Sequence, residues 1–227
     1  MAFSSKEAAE KLSAPSVSKV IQPSNVTARV LDMKLEAPPY DSSALNLTLL
    51  LETTPIEDES FTGIAIDKNS PELGSYKGQI GWVQASPFAF TDYTSKIDGK
   101  VTSRDEQVFR WLWNFAKEIG ISERLADENI SGETIQEYLD EAKKYFINPD
   151  RYIHFCVGGA EYENKDGYLQ HRLYLVKGDK FKKPYELAVE GKEASKVITF
   201  NQELHIRKKK AAEKVDGFQG KDSDLDI

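Results

Sequence analysis

The chain has 227 residues, 40% of them hydrophobic and 30% charged, and a formal net charge of −7. Its 10 Tyr, 11 Phe and 3 Trp are too many aromatics for a wholly disordered chain, and a single Cys excludes a disulfide framework. No apolar run approaches the roughly 18 residues of a membrane-spanning helix, and the N-terminus lacks the apolar stretch of a signal peptide. These features predict a soluble, cytoplasmic protein.

The charge is unevenly spread. Residues 151–215 carry 14 Lys/Arg against 9 Asp/Glu, whereas residues 1–150 carry 15 against 24. The last stretch, 216–227, has four Asp against Lys221. An acidic end directly after a basic region is a functional hint.

Residues 1–18 are Ser/Ala-rich and read as a flexible arm, with a short helix over Ser5 to Lys11. Asn25 to Leu35 suits a strand, and Pro38-Pro39 stops it. Leu45 to Thr54 is a short apolar run bounded by turn residues, which favours a buried strand. Phe61 to Ile66 and Gln79 to Phe90 continue in that style, with Gly81 and Pro87 as bulge or edge points. Ser103 and Glu106 form a capping-box pattern ahead of Val108, Trp111, Leu112, Phe115 and Ile119 at helical spacing, with Gly120 as the stop. A second helix is predicted over Ser131 to Tyr145. Strands resume at Arg151 to Val157 and Tyr168 to Val176, joined by Gly- and Asn-rich turns. Val197 to Phe200 reads as a short final strand, Ile206 to Lys214 as a basic terminal helix, and 216–227 as a disordered acidic tail.

Strands, a helical excursion at about 103–147, then more strands do not make a regular βαβ alternation. The order predicts a mainly β (α+β) domain over 19–215. Its core is an OB-fold-like five-stranded barrel with a helical insertion between the third and fourth strands. A generic α+β domain is the competing architecture.

Strand periodicity sorts the late side chains into two faces. Ile153, Phe155 and Val157 point one way, as do Leu169, His171, Leu173 and Leu175. Tyr152, His154 and Cys156 point the other, as do Tyr168, Gln170, Arg172 and Tyr174. A Tyr/Arg face suits unpaired bases, which stack on aromatic rings while cations meet phosphates. Candidate binding residues are Tyr152, Tyr168, Arg172, Tyr174, Lys177, Lys180, Lys182 and Lys183. Trp82 joins them if it is on the surface; burial in the core is the other reading. The run Arg207-Lys208-Lys209-Lys210 lies close by, and a solvated basic helix is its plain alternative. Asp222, Asp224, Leu225, Asp226 and Ile227 alternate charge with apolar tips, a pattern that docks on basic, apolar-floored surfaces and competes with nucleic acid for them.

The strand order, the Tyr/Arg face at 168–174 and the DSDLDI end together resemble phage-type single-stranded DNA-binding proteins. That resemblance implies an OB-fold core that coats single-stranded DNA in replication or recombination. It also implies an acidic tail that recruits replication or recombination proteins. Catalytic chemistry does not assemble: there is no P-loop, and His154 with Cys156 lacks an orienting group and an oxyanion site. No cofactor or metal is expected. Two other classes stay open, a structural or assembly component of a virion and a metal-dependent nuclease.

Overall fold

A computed structural model of the protein describes residues 17–58, 61, 63–69 and 74–208. The predicted Ser5–Lys11 helix and the acidic tail fall outside those residues. The strands are β1 (Ser24–Glu36), β2 (Asn46–Thr53), β3 (Ile64–Ala65), β4 (Ser75–Tyr76), β5 (Ile80–Gln84), β6 (Tyr93–Thr94), β7 (Val101–Thr102), β8 (Ile153–Glu163), β9 (Leu169–Leu175), β10 (Tyr185–Leu187) and β11 (Ile206–Arg207). Three helices, α1 (Arg104–Glu118), α2 (Ser122–Asp127) and α3 (Ile135–Phe146), lie between β7 and β8, and a single turn, α4 (Gln202–His205), precedes β11.

The main sheet runs β1-β2-β5-β9-β8, and β8 pairs back onto β1. The result is a closed five-stranded barrel, consistent with an OB-like barrel. It is mixed, because β5 and β9 are parallel while the other barrel pairs are antiparallel. Followed sideways, the register passes from Lys34 to Thr48, Gln84, Tyr174 and Gly158, then returns to β1 below Ser24. That offset is the stagger a closed sheet requires.

Inward positions on the strands are apolar. Leu47, Leu49 and Leu51 of β2, Val83 of β5, and Ile153, Phe155 and Val157 of β8 are buried in one cluster. β1 keeps an inward apolar set only because its register shifts between Val30 and Asp32. Ala28 and Val30 are inward on even numbers, Met33 and Leu35 on odd ones. The extra residue, Leu31, reverses the parity as a bulge does.

The helices cover one end of this core. Ser103 caps α1, its hydroxyl accepting from the Glu106 N–H at 3.1 Å. The Glu106 carboxylate does not return the bond and pairs with Arg110 instead. Val108, Leu112, Phe115 and Ala116 form the buried stripe of α1. Phe115 stacks on Phe146 of α3 at 5.6 Å, meets Tyr185 edge-on at 4.8 Å and reaches the barrel residue Phe155 at 6.4 Å. Burying a side chain of this size contributes about 2–3 kcal/mol, so α1 is held by packing as well as by its cap.

Several expectations are corrected. The strand at 79–90 is regular only over Ile80–Gln84, and that at 61–66 shrinks to Ile64–Ala65 paired with β4. α3 begins at Ile135, not Ser131, because Thr134 is the residue that caps it. α2 was not anticipated. Val197 to Phe200 is not a strand; only one bridge, Lys183 to Val197, forms there. Ile206 and Arg207 are extended, not helical, and pair parallel with Gly159 and Ala160.

Candidate nucleic-acid interface

The outer face of β2 and β5 carries an exposed aromatic. Trp82 is 39% exposed. It lies opposite Leu50, and the Lys34 ammonium sits 4.2 Å from the centre of its ring. The bulge in β1 is what turns Lys34 outward. Lys34 also pairs with Glu36 at 2.8 Å. Thr48 lies between Lys34 and Gln84 in the register, and its buried hydroxyl has no hydrogen-bond partner.

Beside this face opens a groove of about 560 Å³ whose lining includes Pro39, Tyr40, Asn46, Gln84 and Arg172. Tyr40, on the loop from β1 to β2, is 71% exposed. Arg172 is exposed and makes no ion pair among the described residues. One free guanidinium and one free phenol therefore line the groove together with the Glu36 carboxylate, and the capped indole stands two residues before Gln84 on β5. Chemically this part of the barrel offers stacking planes next to cations.

The candidate residues from the sequence separate into three groups. Trp82 and Arg172 belong to the surface just described. Tyr168 is 70% exposed, on the hairpin from β8 to β9, where the Asn164 side chain accepts from its N–H at 2.8 Å. Along β9 it is four residues, about 13 Å, from Arg172.

Tyr174 is a correction. It points outward as its parity requires, yet it is only 5% exposed. Its hydroxyl donates to the His205 carbonyl at 3.0 Å, and it packs with Cys156, Val176 and Val197. The chain from about 195 to 207 lies over this part of the barrel wall. Gly158 permits that, since a Cβ there would stand 2.8 Å from both the His205 oxygen and the Tyr174 ring. Tyr174 is thus a support for the C-terminal segment, with no free ring face. Tyr152 is half-buried, its carbonyl accepting from the Ala188 N–H at 3.1 Å.

Lys177, Lys180 and Lys182 are exposed on the loop after β9, where Phe181 is 80% exposed under Lys180. Asp179 organises the loop. Its carboxylate accepts from the Lys182 and Phe181 N–H groups at 2.6 and 2.7 Å, which hold it below the usual carboxylate range. Lys183 is exposed as well, and its ammonium is paired with Glu118. Arg207 lies 4.5 Å over Phe88 and donates to the Pro87 carbonyl at 3.2 Å. Lys209, Lys210 and the tail residues Asp222, Asp224, Leu225, Asp226 and Ile227 fall outside the described residues.

Sequence reasoning missed Lys34, Tyr40 and Gln84. Tyr40 had a signal, a Pro-Pro-Tyr loop between two strong strands. Lys34 had one too, in the break of alternation at Leu31.

Cys156 and His205 approach to 4.0 Å, yet burial pushes the thiol up to about 11 and holds the imidazole below its ordinary value. Such a pair stays neutral and is no activated nucleophile. Among the described residues no group of three or more His, Cys, Asp or Glu could hold a metal, and no helix is long and apolar enough to cross a membrane. Compared with protein-family models, curated proteins and solved structures, the chain matches none.

Proposed function

We propose that this protein binds single-stranded DNA through an OB-like barrel and serves replication or recombination without catalysis. The observation that carries the reading is Trp82, half-open on the third barrel strand under Lys34, beside the groove that holds Tyr40 and Arg172. OB barrels take oligonucleotides on the face of their second and third strands and on the loops joining strands one to two and four to five. Here those places are the outer side of β2 and β5, the loop with Tyr40, and the hairpin with Tyr168. Bases stack on Trp82, Tyr40 and Tyr168. Lys34, Arg172, Lys177, Lys180, Lys182 and Arg207 meet phosphates. Residues 216–227 recruit partner proteins and, following the basic run, compete with DNA in cis.

Titration with a roughly 30-nucleotide oligo-dT at two salt concentrations tests this, read by tryptophan fluorescence and anisotropy. Tight binding that falls steeply with salt, is much weaker for duplex and is weakened in Trp82→Ala is the expected result. Absence of binding at low salt, with or without the tail, would overturn it.

One observation favours a second reading, an assembly protein. Between α1 and α3 lies a groove of about 400 Å³ with Phe109, Ile130 and Tyr138 along it and Asp105, Glu106 and Glu133 at its sides. Phe109 is 41% exposed. A stable stoichiometric complex with another protein, and no salt-sensitive oligonucleotide binding, is what that reading expects.

A further inference from the structure

We infer that the chain holds one unstacked nucleobase in a second, aromatic pocket at the end of the strand path, separate from the Trp82 surface. This inference rests on the single-stranded DNA reading and adds a subsite to it.

The pocket, about 300 Å³, is bounded by the chain just beyond β5, the end of β9, α1 and the start of β10. Phe88, Phe90, Trp111 and Tyr185 supply its aromatic lining, with Leu175 beside them and Lys177 as the lone charged residue. The walls are rigid. Phe90 exchanges backbone hydrogen bonds with Leu45 at 2.7 and 2.9 Å. Tyr185 is 5% exposed and is held edge-on between Trp111 at 5.6 Å and Phe115 at 4.8 Å. At the mouth Phe88 is 63% exposed, with the Arg207 guanidinium over its ring.

Three features point to a base as occupant. The volume takes one heterocycle and not a folded element. The lining holds no carboxylate, and Lys177 and Arg207 stand at its edge, so a flat group carried on an anionic chain is favoured over a neutral or basic one. The pocket also follows the groove along two chain segments. Gln84 ends β5 and lines the groove, and Ser86, two residues on in the bend that follows, lines the pocket; Arg172 lines the groove from β9, and Lys177, five residues on and just past the end of β9, lines the pocket.

The test uses the full chain and oligo-dT carrying 5-iododeoxyuridine at single positions, irradiated in complex and sequenced by fragment mass spectrometry. Crosslinks to Phe88, Phe90 or Trp111 from one position of the oligonucleotide are expected, alongside crosslinks to Trp82 or Tyr40 from others. Ser86→Phe, which sets a ring in the mouth, and Phe88→Ala, at an exposed position, should each lose the first set. Each should weaken binding roughly tenfold, with the melting temperature of Phe88→Ala unchanged. Crosslinks confined to Trp82 and Tyr40, with both variants binding as the parent does, overturn the pocket and leave the binding function standing. A full chain that binds no oligonucleotide overturns both.

Discussion

At the scale of the residue, two tyrosines of equal parity on one strand segment have opposite fates. Tyr168 is open and Tyr174 is closed, because the chain near His205 lies over the second and not the first. Replacing Tyr174 with Phe removes the bond to the His205 carbonyl and should cost about 1 kcal/mol of stability, measured by urea unfolding, with oligonucleotide affinity unchanged. Trp82→Ala should do the reverse. Stacking of a base is worth about 1–3 kcal/mol, so affinity should drop roughly 5- to 150-fold while the unfolding midpoint stays put. His205 adds a pH dependence. Its Nδ1 accepts from the Asn201 N–H at 3.0 Å, with Cys156 and the Phe200 ring beside it, and burial holds its pKa below the ordinary 6.5. The folded state therefore binds fewer protons than the unfolded one. This contribution is complete above pH 6.5 and is lost as pH falls through the lowered value. Thermal melts between pH 7.5 and 5 should show the loss, and His205→Asn should flatten it.

At the scale of the element, the barrel and the helices share one core, so neither is an independent unit. Phe115 is fully buried and touches α3, β8 and β10. Phe115→Ala should destabilise the whole fold by about 3–5 kcal/mol in a single cooperative transition. Two separate transitions in calorimetry would contradict a shared core. The covering segment before β11 is a weaker attachment. Gly158→Ala forces a methyl against the His205 carbonyl and the Tyr174 ring, and should cost about 1–3 kcal/mol while raising hydrogen exchange near 195–207. The start of α1 was readable because Ser103 places a hydroxyl over the N–H three residues on; Thr134 does the same for α3, where the sequence pattern pointed to Ser131 instead. Strand ends were less readable, since Gly81 and Pro87 disturb the pattern that marks them.

For the whole molecule, the net charge of −7 averages an acidic stretch over 1–150 and a basic one over 151–215. If Lys34, Arg172, Lys177, Lys180, Lys182 and Arg207 each meet a phosphate, log affinity should fall with log salt at a slope of about −4. A slope near zero would remove them from the interface. Deleting 216–227 takes away a net acidic segment that follows Lys208 by only a few residues. Binding should tighten at low salt and converge with the parent at high salt, where screening weakens the competition.

The amino-acid sequence by itself determined what local rules can carry. Apolar patterning located β1, β2, β9 and the first half of β8, a side-chain cap located α1, and charge counts separated a basic late region from an acidic end. These depend on neighbours within a few residues. Which outward side chains are free was decided by the tertiary structure. Tyr174 is covered by residues some thirty positions later, Lys183 is tied to Glu118, and Tyr40 joins Arg172 across more than a hundred residues. A strand pattern gives the face a side chain points to. What stands on that face depends on barrel closure and on where a distant segment returns, and those long-range contacts leave no periodic trace in the chain.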